Sequence, residues 1–108
     1  MATGASFSAK QRTEHGHEVL YLAGSLTIGT AEELRTLLHR VALESDGDLH
    51  LDFSSVTELD AAGLGAMVSV ARLLRQRDTK LTVRSLKTEQ NRLLRMSGLN
   101  RLIAVEQP

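Results

Sequence analysis

Hydrophobic residues along this chain switch between two rhythms, and the switches mark out a succession of strands and helices. Leu49, Leu51 and Phe53 alternate with His50, Asp52 and Ser54, the period of a strand with one buried face and one wetter face. Val19-Leu20-Tyr21-Leu22-Ala23 is a short apolar run closed by Gly24, consistent with a buried strand. Phe7 to Arg12 reads as a weaker first strand and Glu14-His15-Gly16-His17 as the turn after it, which together predict an N-terminal hairpin. Ala31, Leu34, Leu37, Leu38, Val41 and Ala42 recur instead at helical spacing, leaving Glu32, Glu33, Arg35, Arg40 and Glu44 on the other side. Thr30-Ala31-Glu32-Glu33 in front of them has the form of a capping box, in which the Thr30 hydroxyl accepts from the Glu33 amide and the Glu33 carboxylate accepts from the Thr30 amide. Ser45-Asp46-Gly47-Asp48 then breaks the helix.

A second helix is predicted from about Gly63 to Gln76, with Leu64, Met67, Val68, Ala71 and Leu74 inward and Arg72, Arg75 and Arg77 near the negative end of its dipole. Lys80 to Arg84 is another short strand. A third helix, about Thr88 to Met96, turns Leu93, Leu94 and Met96 inward and meets Gly98, suited to the left-handed C′ position, with Leu99 packing back on the last turn. Leu102 to Val105 completes the sheet. The order β-β-α-β-α-β-α-β predicts one α/β domain over residues 7–105, a mixed sheet of about five strands with helices mainly on one face, preceded by a flexible tail, residues 1–6.

Composition narrows the chemistry. Thirteen Lys and Arg balance thirteen Asp and Glu, so no net field draws a phosphate backbone or an anionic membrane from a distance, and nucleic acid is not an expected partner. No run approaches the ~20 apolar residues that span a bilayer, and no basic-then-apolar leader opens the sequence. The reading is a cytoplasmic protein without direct membrane insertion. With no Cys and no Trp, thiol catalysis, disulfides, thiolate metal sites and aromatic platforms for single strands all fall away.

The most informative stretch is Leu51-Asp52-Phe53-Ser54-Ser55-Val56-Thr57-Glu58-Leu59-Asp60-Ala61-Ala62-Gly63-Leu64-Gly65, a strand running into a glycine-containing helix start. It resembles the signature of STAS domains, the family of the bacterial anti-sigma factor antagonists. Two further stretches carry the same resemblance: Gly24 to Leu34 looks like the family's early turn and following helix, and Arg92 to Leu99 like its C-terminal helix ending. The resemblance covers about residues 7 to 105 and implies the family's fold. It also implies that the position after the motif aspartate carries the phosphorylated hydroxyl in regulated members. Here that position is Ala61, and Thr27 stands where those members have an acidic residue, while Asp60 remains. A methyl group cannot accept phosphate, so the acceptor is absent at residue 61.

Asp60 is a candidate N-cap in its own right, and the helix start behind it exposes backbone amides at a positive dipole end. Small Ala61 and Ala62 leave a shallow apolar floor there, and the glycines allow close approach. The resemblance makes this edge, Ser25, Thr27, Thr30, Asp60, Ala61, Ala62, Gly63, Leu64 and Gly65, the surface that docks a partner. The plainer alternative is that Asp60 only caps a helix and the glycines only let it pack on the sheet.

Other constellations are weaker. His15 and His17 lack a third metal ligand in sequence, Asp46 and Asp48 read as a polar turn, and Gly63-x-Gly65 lacks the Lys-Ser/Thr of a phosphate loop. No metal and no cofactor are expected. Thr57, Ser54, Ser55 and Ser69 are nearby hydroxyls, of which Ser54 and Ser55 read as loop-forming. Taken together, the resemblance implies a non-enzymatic binding module that sequesters an anti-sigma factor or a related histidine-kinase-like regulator without control at residue 61. The alternative is a STAS accessory subunit bracing the ATPase of a lipid ABC transporter, to which the Leu26-Thr27-Ile28 turn looks closer. Scattered apolar residues leave a homodimer open.

Overall fold

The computed structural model describes residues 6–106. The expected N-terminal tail lies outside the described residues except for Ser6, whose carbonyl accepts a hydrogen bond from the Ser25 amide at 2.9 Å. The hairpin forms as the sequence predicts, but with longer arms: β1 is Phe7–Glu14 and β2 is His17–Leu26. Its two-residue turn places both His15 (φ 51) and Gly16 (φ 81) in the left-handed region, the backbone twist that matches a right-handed strand pair.

Helix α1 (Ala31–Glu44), strand β3 (Leu49–Leu59), helix α2 (Ala61–Gln76), strand β4 (Leu81–Arg84), helix α3 (Thr88–Met96), a short 3-10 turn (Leu99–Arg101) and strand β5 (Ala104–Val105) follow in order. The sheet order is β1-β2-β3-β4-β5, antiparallel between β1 and β2 and parallel elsewhere. Leu20, Leu51 and Val83 lie side by side in register. They share one buried cluster with Leu38 of α1, Leu74 of α2 and Leu94 of α3. The domain is thus α/β, with all three helices closing over a common core.

Strand β3 departs from simple alternation. Five steps of β2, from Tyr21 to Leu26, face seven steps of β3, from Asp52 to Leu59, because the register slips twice. Each slip is a bulge that adds an unmatched residue to β3 and shifts its side-chain phase by one. Burial follows: Leu49, Leu51 and Phe53 alternate inward, then Val56 is buried while Ser54 and Ser55 both face out. The two serines read as loop formers, but they sit within the strand at the first bulge. Pairing with β4 ends at Asp52 and Arg84, so residues 53–59 have no strand partner on that side. Helix α3 fills part of the gap: Lys87 Nζ and Gln90 Nε2 donate to the Val56 carbonyl at 2.7 and 3.2 Å.

The helix α3 expectation needs two corrections. Met96 is 79% exposed and Leu93 is only partly buried, so Gln90 and Leu94 form the inward face. The helix is short and rolled toward β3 by the Gln90 contact, which takes the place the hydrophobic spacing gave to Met96. Gly98 is left-handed (φ 75) as predicted. The last strand is shorter than expected because Leu99–Arg101 winds into the 3-10 turn.

Candidate functional site

Asp60 lies where β3 ends and α2 begins, and it closes that junction with four hydrogen bonds. With φ −124° and ψ −176° it has the extended backbone of an N-cap. Its Oδ1 accepts from the Ala62 and Gly63 amides at 2.9 and 3.0 Å. Such a cap is worth about 1 kcal/mol. Its Oδ2 accepts from the Ile28 amide at 3.1 Å, and its own amide donates to the Leu26 carbonyl at 3.2 Å. The aspartate therefore also fastens the β2–α1 turn against the start of α2. The cap was legible in sequence; the latch to Ile28 was not, since it joins residues 32 apart.

Thr30 behaves differently from the capping box the sequence suggests. It occupies the N-cap position of α1, yet its side chain makes no capping bond. The hydroxyl instead accepts from the Thr27 amide at 3.0 Å and donates to the Ser25 carbonyl at 2.7 Å. The turn's own backbone groups outcompete the helix amide for it. Ser25 is likewise engaged, its hydroxyl donating to Glu58 Oε1 at 2.6 Å. These bonds tie the end of β2, the turn and the end of β3 into one rigid unit.

The candidate edge then divides by exposure. Thr30, Gly63 and Leu64 are buried and Ser25 nearly so, so they shape the edge from beneath. Ala61 and Gly65 are exposed, Thr27, Asp60 and Ala62 half-buried, and Ile28 stands 82% exposed at the turn. The two glycines have separate roles. A Cβ on Gly63 would run into the Leu26 carbonyl, whereas one on Gly65 would meet nothing. Gly63 allows α2 to rest on β2; Gly65 keeps the outer surface low. Ile28 was missed as a surface feature, although an isoleucine between Thr27 and Gly29 in a turn was the available signal.

Neighbouring hydroxyls are variously committed. Ser54 Oγ donates to Asp52 Oδ1 at 2.6 Å, and Ser69 Oγ pairs with His39 Nε2 at 2.8 Å. Ala61, first residue of α2, carries only a methyl.

A second polar group, unforeseen in the sequence, crosses four strands on the opposite sheet face. Arg84 donates from Nε to Asp52 Oδ2 at 2.9 Å and from Nη2 to the Tyr21 hydroxyl at 2.7 Å and Glu14 Oε1 at 3.3 Å. Tyr21 donates in turn to Glu14. Burial alone would raise the Asp52 carboxyl, but hydrogen bonds from Ser54 and the Arg84 guanidinium outweigh it and hold it below its ordinary value. The Tyr21 bond lowers Glu14 in the same way, against a smaller opposing effect of desolvation, and Arg84 adds to it. Asp52, expected on a wetter face, is buried beneath Arg84. His17 and His50 lie with ring centroids 5.0 Å apart, and burial, then the neighbouring His17, lowers His50. Asp48 accepts from the Lys80 amide at 3.0 Å, which makes it a loop-fastening residue. Among the described residues no group of three His, Cys, Asp or Glu gathers to hold a metal ion, and no helix is long and apolar enough to cross a membrane.

Four parallel strands, β2 to β5, extended at one edge by the antiparallel β1, with polar turns latched at the strand ends, form the architecture of the STAS class of regulatory domain. The chain belongs to that family: the family model described as "Mlab, STAS domain" matches residues 9–104. It is similar to the anti-sigma-B factor antagonist of Listeria monocytogenes, 28% identical across 94% of this chain and 88% of that protein. It is also similar to that of Staphylococcus epidermidis, 29% identical across 80% of each chain. Among solved structures, an anti-sigma factor antagonist from Mycobacterium paratuberculosis superposes with a TM-score of 0.84 at 21% identity, over 95% of this chain and 87% of that one. The phosphorylated Bacillus cell fate determinant SpoIIAA superposes at 0.69 and 15% identity, over 94% and 92%. At these identities the structural likeness concerns the fold.

Proposed function

We propose that this protein is a binding module of the anti-sigma factor antagonist type, acting in the cytoplasm, which sequesters an anti-sigma factor or a related histidine-kinase-like regulator. Docking uses the edge formed by Thr27, Ile28 and Asp60 to Gly65, over the support of Ser25 and Thr30. The observation that carries the reading is the kinship with anti-sigma-B factor antagonists along almost the whole chain, which includes the Asp60 junction. A binding role also suits what the edge offers: small exposed residues, one apolar tip and a preorganised backbone, so that little conformational entropy is lost on association.

Control at residue 61 is absent in this reading. A phosphate there would bring about −1.5 to −2 charges beside Asp60 and break the contact by repulsion and desolvation; Ala61 leaves the contact permanently permitted. Regulation then falls on the partner. The test is titration of a purified anti-sigma-type kinase from the same cell, with and without ATP. Equal affinity in both, with no phosphate incorporated, supports the reading, and ATP-dependent release contradicts it.

A second reading has its own observation. The matching family model is described as "Mlab, STAS domain" and not as an antagonist, and Leu26-Thr27-Ile28 lacks the early acidic residue of phosphorylated antagonists. Both suit an accessory subunit that braces a lipid transporter's ATPase. Neighbouring transporter genes favour this reading, and sigma or anti-sigma genes the first.

A further inference from the structure

Strand β3 outruns β4 by seven residues, from Phe53 to Leu59, and α3 approaches that uncovered side without closing it. A groove of about 680 Å³ is left between them, space enough for one or two large side chains. Thr57 and Leu59 of β3 and Leu93 of α3 line it, and it opens beside Thr27 and Asp60 at the docking edge. Ile28, next to Thr27 in sequence and held by the Asp60 latch, stands almost fully exposed at that end.

The charges around the groove are unequal. Glu58, Asp60 and Glu89 stand against one cation, Lys87. Asp60 spends both oxygens on backbone amides. The Lys87 ammonium is held against the Val56 and Ser54 carbonyls at 2.7 and 3.4 Å and makes no ion pair shorter than 4.0 Å among the described residues. Glu58 gives one oxygen to Ser25 and has the other to spare, and Glu89 is exposed in the first turn of α3. The groove thus offers a partly apolar floor with two carboxylates at its rim.

We infer that this groove seats an apolar side chain flanked by a lysine or arginine, presented by the regulatory protein that docks on the Asp60 edge. The inference rests on the docking reading above and extends its footprint across β3 onto α3. Attraction of opposite charge would speed encounter and fix the register, and the leucine floor would slow release.

The probe is a synthetic amphipathic peptide of leucine and lysine, set against the same peptide with glutamate for lysine, each titrated into isotope-labelled full-length protein and followed by amide NMR shifts. The lysine peptide is expected to shift Thr57, Leu59, Gln90 and Leu93, to bind about tenfold more tightly than the glutamate peptide at low salt, and to weaken as salt rises. The double variant Glu58→Gln/Glu89→Lys, in which a side-chain amide oxygen can still accept from the Ser25 hydroxyl, should abolish the preference while leaving circular dichroism unchanged. Equal response to both peptides, shifts scattered elsewhere, or dilution-dependent shifts without peptide, which would mean a second copy fills the groove, overturn the inference. A separate arm distinguishes it from the docking reading. An anti-sigma-type kinase whose binding is lost with both Gly65→Arg and Leu93→Asp supports the groove. Loss with Gly65→Arg alone keeps the edge and removes the groove, and loss with neither removes the docking reading itself.

Discussion

The two halves of strand β3 were built under different constraints. From Leu49 to Asp52 the strand is flanked by β2 and β4, its Leu49 and Leu51 fully buried at 0% exposure, and its register with both neighbours unbroken. From Phe53 to Leu59 it is bulged twice against β2, free of β4 and exposed at Ser54, Ser55, Thr57 and Glu58. Both halves feed the core, the second through Phe53 and Val56, but only the second also carries the latch, the groove and the helix start. A bulge gives up regular pairing and gains the ability to re-aim side chains, and here the re-aimed segment ends at Asp60. The contrast shows that one strand serves both stability and recognition, and that in its second half only the exposed positions Ser54, Ser55, Thr57 and Glu58 lie outside the core.

Substitutions can break this contrast if it is wrong. Leu51→Ala should cost about 2–5 kcal/mol in urea unfolding, because the site is closed on all sides and the cavity cannot collapse; Thr57→Ala, six residues on, should stay within about 0.5 kcal/mol. Gly63→Val should cost roughly 1–3 kcal/mol or more, since α2 must lift off the Leu26 carbonyl. Asp60→Ala should lose about 1–2 kcal/mol through the missing cap, and amide exchange at Ile28 should accelerate as the latch opens. Gly65→Ala should instead raise stability by roughly 0.5–1 kcal/mol, the position being helical and open. Equal penalties at Gly63 and Gly65 would show that the two glycines do not divide the work.

The sheet network gives a pH signature. Asp52 binds its proton less tightly folded than unfolded, so its contribution is complete above the ordinary carboxylate pKa of 3.8 and is lost as pH falls toward its lowered folded value. Asp52→Asn should therefore lower stability at neutral pH and flatten the acid limb of the unfolding curve. An unchanged acid limb would mean that the Ser54 and Arg84 bonds to Asp52 do not outweigh its burial.

Much of the fold could be read from periodicity, because α1, α2 and the first half of β3 bury residues at the spacing of their own element. The second half of β3 could not. Its bulges, one at Ser54-Ser55 and one at Thr57, carry no glycine or proline of their own to announce them, and their effect depends on the partner strand's register. The Asp60 cap was legible because the bond is local, whereas Asp60 to Ile28 and Arg84 to Asp52 each join residues 32 apart. Thr30 and Met96 mislead for different reasons: the Thr30 hydroxyl is taken by local turn groups, the Thr27 amide and the Ser25 carbonyl, whereas the Met96 place is taken through the long-range bond of Gln90 to Val56.

The proposed edge beyond Asp60 is expected to bind a regulator without a phosphate switch. The most direct measurement is calorimetric titration of a purified anti-sigma-type kinase from the same cell with the unaltered protein, with Gly65→Arg and with Ala61→Ser, each with and without ATP. The unaltered protein should bind equally in both conditions and Gly65→Arg should not bind, while Ala61→Ser tests whether the edge still accepts phosphate and then lets go. Undiminished binding by Gly65→Arg, or ATP-driven release of the unaltered protein, would contradict the account.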